Sequence, residues 1–173
     1  MPKSIYKLSA KDLAPDIQLL LLLLKAQRLQ EAVVRQVLKG ACWWVANAQG
    51  RKDACDLWSK KAIELRASQE SWDGIGLVHE HMVPRNVIEE EILALSNPTV
   101  EQIEKVLSRS RVCVVTADED KQLREAKLGA SLPDGASSSS GGVPRYQVAG
   151  IELSEVPFKC SNTTEDIAAP SDS

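Results

Sequence analysis

The sequence predicts an α+β protein of mostly helical content, with an amino-terminal helical half followed by a small unit of two strands and helices. Three observations predict it. Hydrophobic residues are 43% and aromatic residues 4% of the 173-residue chain, with one Phe, so the core is built from Leu, Val, Ile and Ala, a mix that leans helical. Apolar residues recur at helical spacing from residue 12 to residue 39, through a run of six leucines from Leu19 to Leu24. Two later segments, 77–83 and 111–116, have the alternation or the β-branched run of short strands. The length is that of one ordinary domain with appendages.

The elements follow in order. Residues 12–39 read as one long helix, capped by Ser9 or Asp12, with Pro15 near its first turn and Gly40 at its end. Leu20, Leu24, Ala26, Leu29, Val33, Val37 and Leu38 give it a broad face to bury. Residues 41–48 read as a second helical stretch carrying Trp43 and Trp44, and 52–66 as a third with Cys55, Trp58, Ala62 and Leu65 at helical spacing. A loop then leads to the strand 77–83, stopped by Pro84. Helices are expected over 87–95 and 99–108, and the strand 111–116 follows. Thr116 caps a helix that runs to Leu128, with Asp118 and Glu119 in its first turn and Gly129 at its end. Residues 132–145, rich in Ser and Gly, read as a flexible linker. The expected organisation is a helical subdomain at 1–76, a strand and helix unit at 77–131, the linker at 132–145, a docking segment at 146–158 and a disordered acidic tail at 159–173.

The net charge of −3 conceals an asymmetry. Residues 1–72 carry 12 Lys and Arg against 7 Asp and Glu, residues 73–149 carry 8 against 12, and residues 150–173 carry 1 against 5. Only the basic first third offers phosphates an attractive surface. The four cysteines, Cys42, Cys55, Cys113 and Cys160, form no CxxC pair, which excludes a metal knuckle and suits reduced thiols in a cytoplasmic protein. The first residues lack the apolar segment of a signal peptide, and six leucines fall well short of the ~20 needed to cross a membrane.

Both histidines lie in one string, His79-Glu80-His81-Met82-Val83-Pro84. On a regular strand His79 and His81 share a face and Glu80 points the other way; an irregular strand end near Pro84 would let Glu80 and His81 converge. Glu80-His81-Met82-Val83-Pro84 resembles the first half of an HNH, or ββα-metal, nuclease motif, and Thr116-Ala117-Asp118-Glu119-Asp120 is similar to the start of that family's helix. The resemblance covers residues 77–128, with two helices inserted between the strands and Asp120 where the family usually has His or Asn. It implies a ββα-metal-like unit in which His81 is the catalytic general base and Glu80 and Asp120 are metal ligands, with His79 as a further ligand. Two carboxylates imply Mg²⁺ or Mn²⁺, and participation of His79 shifts the preference to Zn²⁺ or Ni²⁺.

The expectation from this resemblance is a metal-dependent HNH-like endonuclease, or a nuclease-fold relative, acting on DNA in a bacterial or phage defence setting. The alternative is a non-enzymatic interaction protein whose leucine-rich first helix mediates homodimerisation or partner binding. Each candidate residue also has a structural explanation. The histidines suit a strand-end pair bonded to loop backbone, and Asp118, Glu119 and Asp120 complement a helix dipole at roughly 0.3–1 kcal/mol each. Arg145-Tyr146 suits an anchor of the carboxy-terminal segment on the body.

Overall fold

A computed structural model describes residues 8–47, 55–68 and 76–155. Within them the fold is α+β and predominantly helical, with one mixed four-stranded sheet. Residues 10–47 form two helices where the periodicity suggests one long helix followed by a shorter one: α1 (Ala10–Lys25) and α2 (Glu31–Asn47). The break falls at Gln27, which adopts a left-handed φ of 56°. Its N–H donates to Leu24 O at 2.9 Å and the Arg28 N–H to Leu23 O at 2.9 Å, the paired bonds that close a helix end. No Gly or Pro marks this site. Gly40, expected as a helix end, lies inside α2, where Trp44 approaches the side a Cβ would occupy.

The expected helix over 52–66 is, in its described part, a strand β1 (Leu57–Ser59) leading into α3 (Lys60–Ala67), which Ser59 caps by accepting from the Ala62 N–H at 3.0 Å. Then come β2 (Leu77–His81), α4 (Arg85–Leu93), α5 (Val100–Leu107), β3 (Val112–Thr116) and α6 (Ala117–Glu125). Caps explain the sharp starts of α5 and α6: Thr99 with Gln102, and Thr116 with Glu119, exchange reciprocal side-chain and backbone bonds. α6 ends at a left-handed Lys127 with φ 60°, ahead of the expected Gly129. The Leu128 N–H reaches back to Leu123 O at 2.8 Å, and both leucines pack in one cluster.

The strand order is β2-β3-β1-β4, with β4 at Leu153–Glu155. β2 and β4 run antiparallel to their neighbours, and β1 is parallel to β3 through Trp58 opposite Val114. The sheet therefore takes an inner strand from before residue 76. One sheet face, with Cys113, Val115 and Val78, packs against Leu123 and Leu128 at α6 and against Tyr146. The other, with Leu77, Val112, Val114 and Trp58, packs against Ala62 of α3 and Ala46 of α2. A separate apolar cluster joins α1, α2, α4 and α5.

The segment expected as a flexible linker is anchored to the body at Ser138, Gly142 and Arg145. Ser138, in a short 3-10 turn (Ser138–Ser140), is buried and donates to Glu91 at 2.5 Å, while Arg109 donates to the same carboxylate at 2.6 Å. These bonds hold the serine run against α4. Next, Gly142 at φ 79° passes so close to the Met82 carbonyl that any Cβ would overlap it. The end of the expected linker and the start of the expected docking segment together form α7 (Val143–Val148), closed by Gly150 at φ 69°, and β4 follows. The acidic tail lies outside the described residues.

Candidate functional site at the end of strand β2

Alternation along β2 distributes the candidate residues. The strand is regular through His81, with Glu80 paired to Cys113 and with His79 and His81 paired to Val114 and Val112. Glu80 therefore shares the face of Cys113, and the histidines share the opposite face. Glu80 and His81 diverge, as a regular strand requires. His79 Nε2 lies 3.5 Å from the buried Cys55 thiol, on the face with Trp58 and Val114.

Around Glu80 the structure assembles four segments. The fully buried Arg145 of α7 donates through Nη2 to Glu80 Oε1 and to the His81 carbonyl at 2.8 Å, and through Nη1 to the Leu128 carbonyl at 2.7 Å. The guanidinium also lies over the Tyr146 ring, 5.1 Å from its centroid. Cys113 donates to Tyr146 Oη at 3.2 Å beneath it. Burial outweighs Arg145 and, with repulsion from Asp120 adding to it, holds the Glu80 carboxyl above the usual range.

Beside Glu80 opens a cavity of about 440 Å³ lined by Glu80, Asp120, Arg124, Lys127, Gly129 and Ala130. α6 places Asp120 here one turn before Arg124, whose guanidinium meets it at 3.1 Å. Lys127 is brought to the rim by the left-handed turn that closes α6. Of the four sequence candidates, the structure thus brings Glu80 and Asp120 to one cavity and directs His79 and His81 elsewhere. Among the described residues no group of three or more His, Cys, Asp or Glu is placed to hold a metal ion.

His81 is pushed down to about 4 by burial, reinforced by Arg85, Arg145 and His79, so its imidazole is neutral near pH 7. Its Nε2 is buried without a hydrogen-bond partner. Three residues of this region escape the sequence argument for chemistry. Arg145 and Tyr146 are readable only as an anchor. Glu119, buried and accepting from Ser59 Oγ and from the Thr116 N–H at 2.9 Å, was readable as a helix-dipole residue, and its spacing to Thr116 is the signal of the capping box. Burial also holds the Cys42 and Cys113 thiols at about 12, as expected of small core residues. Cys160 lies outside the described residues. No helix among the described residues is long and apolar enough to cross a membrane. No family model matches the chain, and no match was found among curated proteins or solved structures.

Arg145→Ala strands the Glu80 carboxylate, so chemical denaturation should show a loss of about 3–5 kcal/mol; Arg145→Lys should recover only part of it, since an ammonium lacks the planar fork. A loss below about 1 kcal/mol for Arg145→Ala would show that the pair is not buried. For His81, the unfolded chain binds a proton near pH 6.5 and the folded chain only near 4. Stability is therefore full above pH 6.5 and falls as pH drops towards 4, by about 3 kcal/mol from this group. His81→Gln should flatten that window relative to the native protein in melts recorded from pH 7 to 4; identical slopes would remove His81 as the cause.

Proposed function

We propose that the chain is a non-enzymatic interaction protein whose binding surface is the outer face of its amino-terminal helices. The observation that carries this is that α1 is apolar on both sides. Ala14, Ile17 and Leu21 face the core, while Leu19 is 58% and Leu22 50% exposed. Pro15 and Ala26 are exposed too, and the set 15, 19, 22 and 26 repeats at alternating spacings of four and three. At 3.6 residues per turn these positions form one line opposite the core-facing residues. A helix apolar all round ordinarily has neighbours all round, and a rimmed exposed apolar patch ordinarily marks an interface. α2 adds Val33, Val37 and Trp43, so five of the seven exposed large apolar side chains among the described residues lie on these two helices.

A second reading has one observation in its favour. Glu80 and Asp120 line one cavity with Arg124 and Lys127, which suits an HNH-like nuclease or nuclease-fold relative whose cations attract the phosphates of DNA. Glu80 and Asp120 would hold a divalent metal there, Mg²⁺ or Mn²⁺ by their chemistry, and the metal would supply charge stabilisation at a phosphate. The fit is partial, because Arg145 already occupies Glu80 Oε1 and His79 and His81 face the other side of the sheet.

The interaction reading predicts that Leu19→Arg/Leu22→Arg leaves the melting temperature within about 2 °C of native, because these side chains touch water in the monomer. Leu21→Arg, one position over and buried, should unfold the domain. The double variant should change the association state or the binding of a hydrophobicity-sensitive dye; no change in either would sink the reading. For the nuclease reading, plasmid nicking with Mg²⁺, Mn²⁺, Zn²⁺ or Ni²⁺ is the check. We expect none; metal-dependent nicking that Asp120→Asn abolishes would move the function to the cavity.

A further inference from the structure

We infer that the partner of the α1 outer face is a second copy of this chain, aligned parallel to the first about a two-fold axis. This rests on the interaction reading above and identifies its partner. Residues 15, 19, 22 and 26 have the spacing of the a and d positions of a two-heptad seam, with 19 and 26 at a and 15 and 22 at d. The core-facing residues, including Ala14, Ile17 and Leu21, then take positions away from the seam, so the same helix serves the monomer core and the seam without competition.

The flanks of the seam decide between possible occupants. One flank carries Lys11, Gln18 and Lys25, seven residues apart, at the g position; the other carries Asp16 and Leu23 at the e position. In a parallel pair, each g residue meets the e residue five positions further along the partner. Lys11 therefore meets Asp16 of the second copy, twice by symmetry, and Gln18 meets Leu23. Lys11 and Asp16 are both exposed. Antiparallel pairing sets like flanks together, with Lys11 near Lys25 and Asp16 without a cation. Gln18 and Lys25 are already turned onto the protein body, donating to the Pro98 carbonyl at 2.8 Å and the Leu95 carbonyl at 2.9 Å. Lys11 is thus the one g-position cation of α1 with no such bond to the body among the described residues. From residue 15 to residue 26 the seam is uncharged along its centre, Asp12 at the preceding a position being bonded back to Ser9 as the helix cap, and the opposite charges of Lys11 and Asp16 on its two flanks are complementary to each other in the parallel sense.

The test is sedimentation equilibrium and light scattering of the full chain across a concentration series. A dimer is expected, abolished by Leu19→Arg/Leu22→Arg. Lys11→Glu and Asp16→Lys each place like charges across both flanks and should each weaken the dimer about tenfold. The combined exchange Lys11→Glu/Asp16→Lys should restore it. Single exchanges that weaken the dimer without restoration in the combination overturn the parallel register. A strict monomer whose dye binding is lost in Leu19→Arg/Leu22→Arg overturns self-pairing and leaves the interaction surface standing. A monomer with no such dye signal, or a dimer that the leucine variant leaves intact, overturns the inference and the reading beneath it together.

Discussion

Arg145 carries a charge it cannot shed and has no access to water, so its surroundings must meet it, and they do so at both terminal nitrogens while Nε stays buried without a hydrogen-bond partner. They draw on two elements besides its own and on the neighbouring Tyr146 within it. β2 supplies the Glu80 carboxylate and the His81 carbonyl, the turn after α6 supplies the Leu128 carbonyl, and Tyr146 supplies a ring face. The guanidinium therefore sets where α7 lies on the sheet and how closely the end of α6 approaches β2. Gly142 is a corollary: the chain can enter α7 at this depth only by running its backbone against the Met82 carbonyl. A buried ion pair adds little net stability over an apolar filling of the same volume. Its energetic weight is on geometry, since a shifted α7 would leave two buried charges and two carbonyls unpaired.

That geometry also constrains what β2 can present. Side chains alternate with a period of two, so whichever face holds Glu80 for Arg145, His79 and His81 must take the other. The electrostatic consequences are opposite in sign. On one face burial raises the Glu80 carboxyl, and on the other burial and cations lower the His81 imidazole. Both shifts reduce charge inside the sheet unit. Strand alternation leaves the neutral imidazole on the face opposite the Glu80 and Asp120 cavity.

Much of the fold was legible because its signals are local. The run Val112 to Thr116 is β-branched apart from Cys113, and the caps Thr99 with Gln102 and Thr116 with Glu119 fix two helix starts from four-residue patterns. What escaped depends on distant partners or on unusual backbone. Leu57 to Ser59 reads as helix because Cys55, Trp58 and Ala62 share a helical spacing, yet pairing with Val114 and Ser154 makes it a strand, and all three side chains still reach one cluster. The break at Gln27 and the stop at Lys127 use left-handed residues other than Gly, which carry no sequence mark. Of the site, the pairing of Glu80 with Asp120 at one cavity follows from strand then helix, whereas Arg145 lies 65 residues from Glu80 and no local pattern connects them.

The two halves of the molecule differ in how completely their elements are used. Around the sheet, both faces are covered and even charged side chains are enclosed. In the helical cluster, α1 contributes Leu13, Ile17 and Leu21 inward and would hold its place with a polar outer face, as surface helices ordinarily do. Leu19 and Leu22 add nothing to that core, and exposed leucines raise the tendency to associate. Because α1 packs on α2 and α5 while Arg145 joins α7, β2 and α6, a protein bound at α1 covers a surface built by elements other than those that form the Glu80 cavity. The α1 outer face and the Glu80 cavity are thus built by separate elements of the fold.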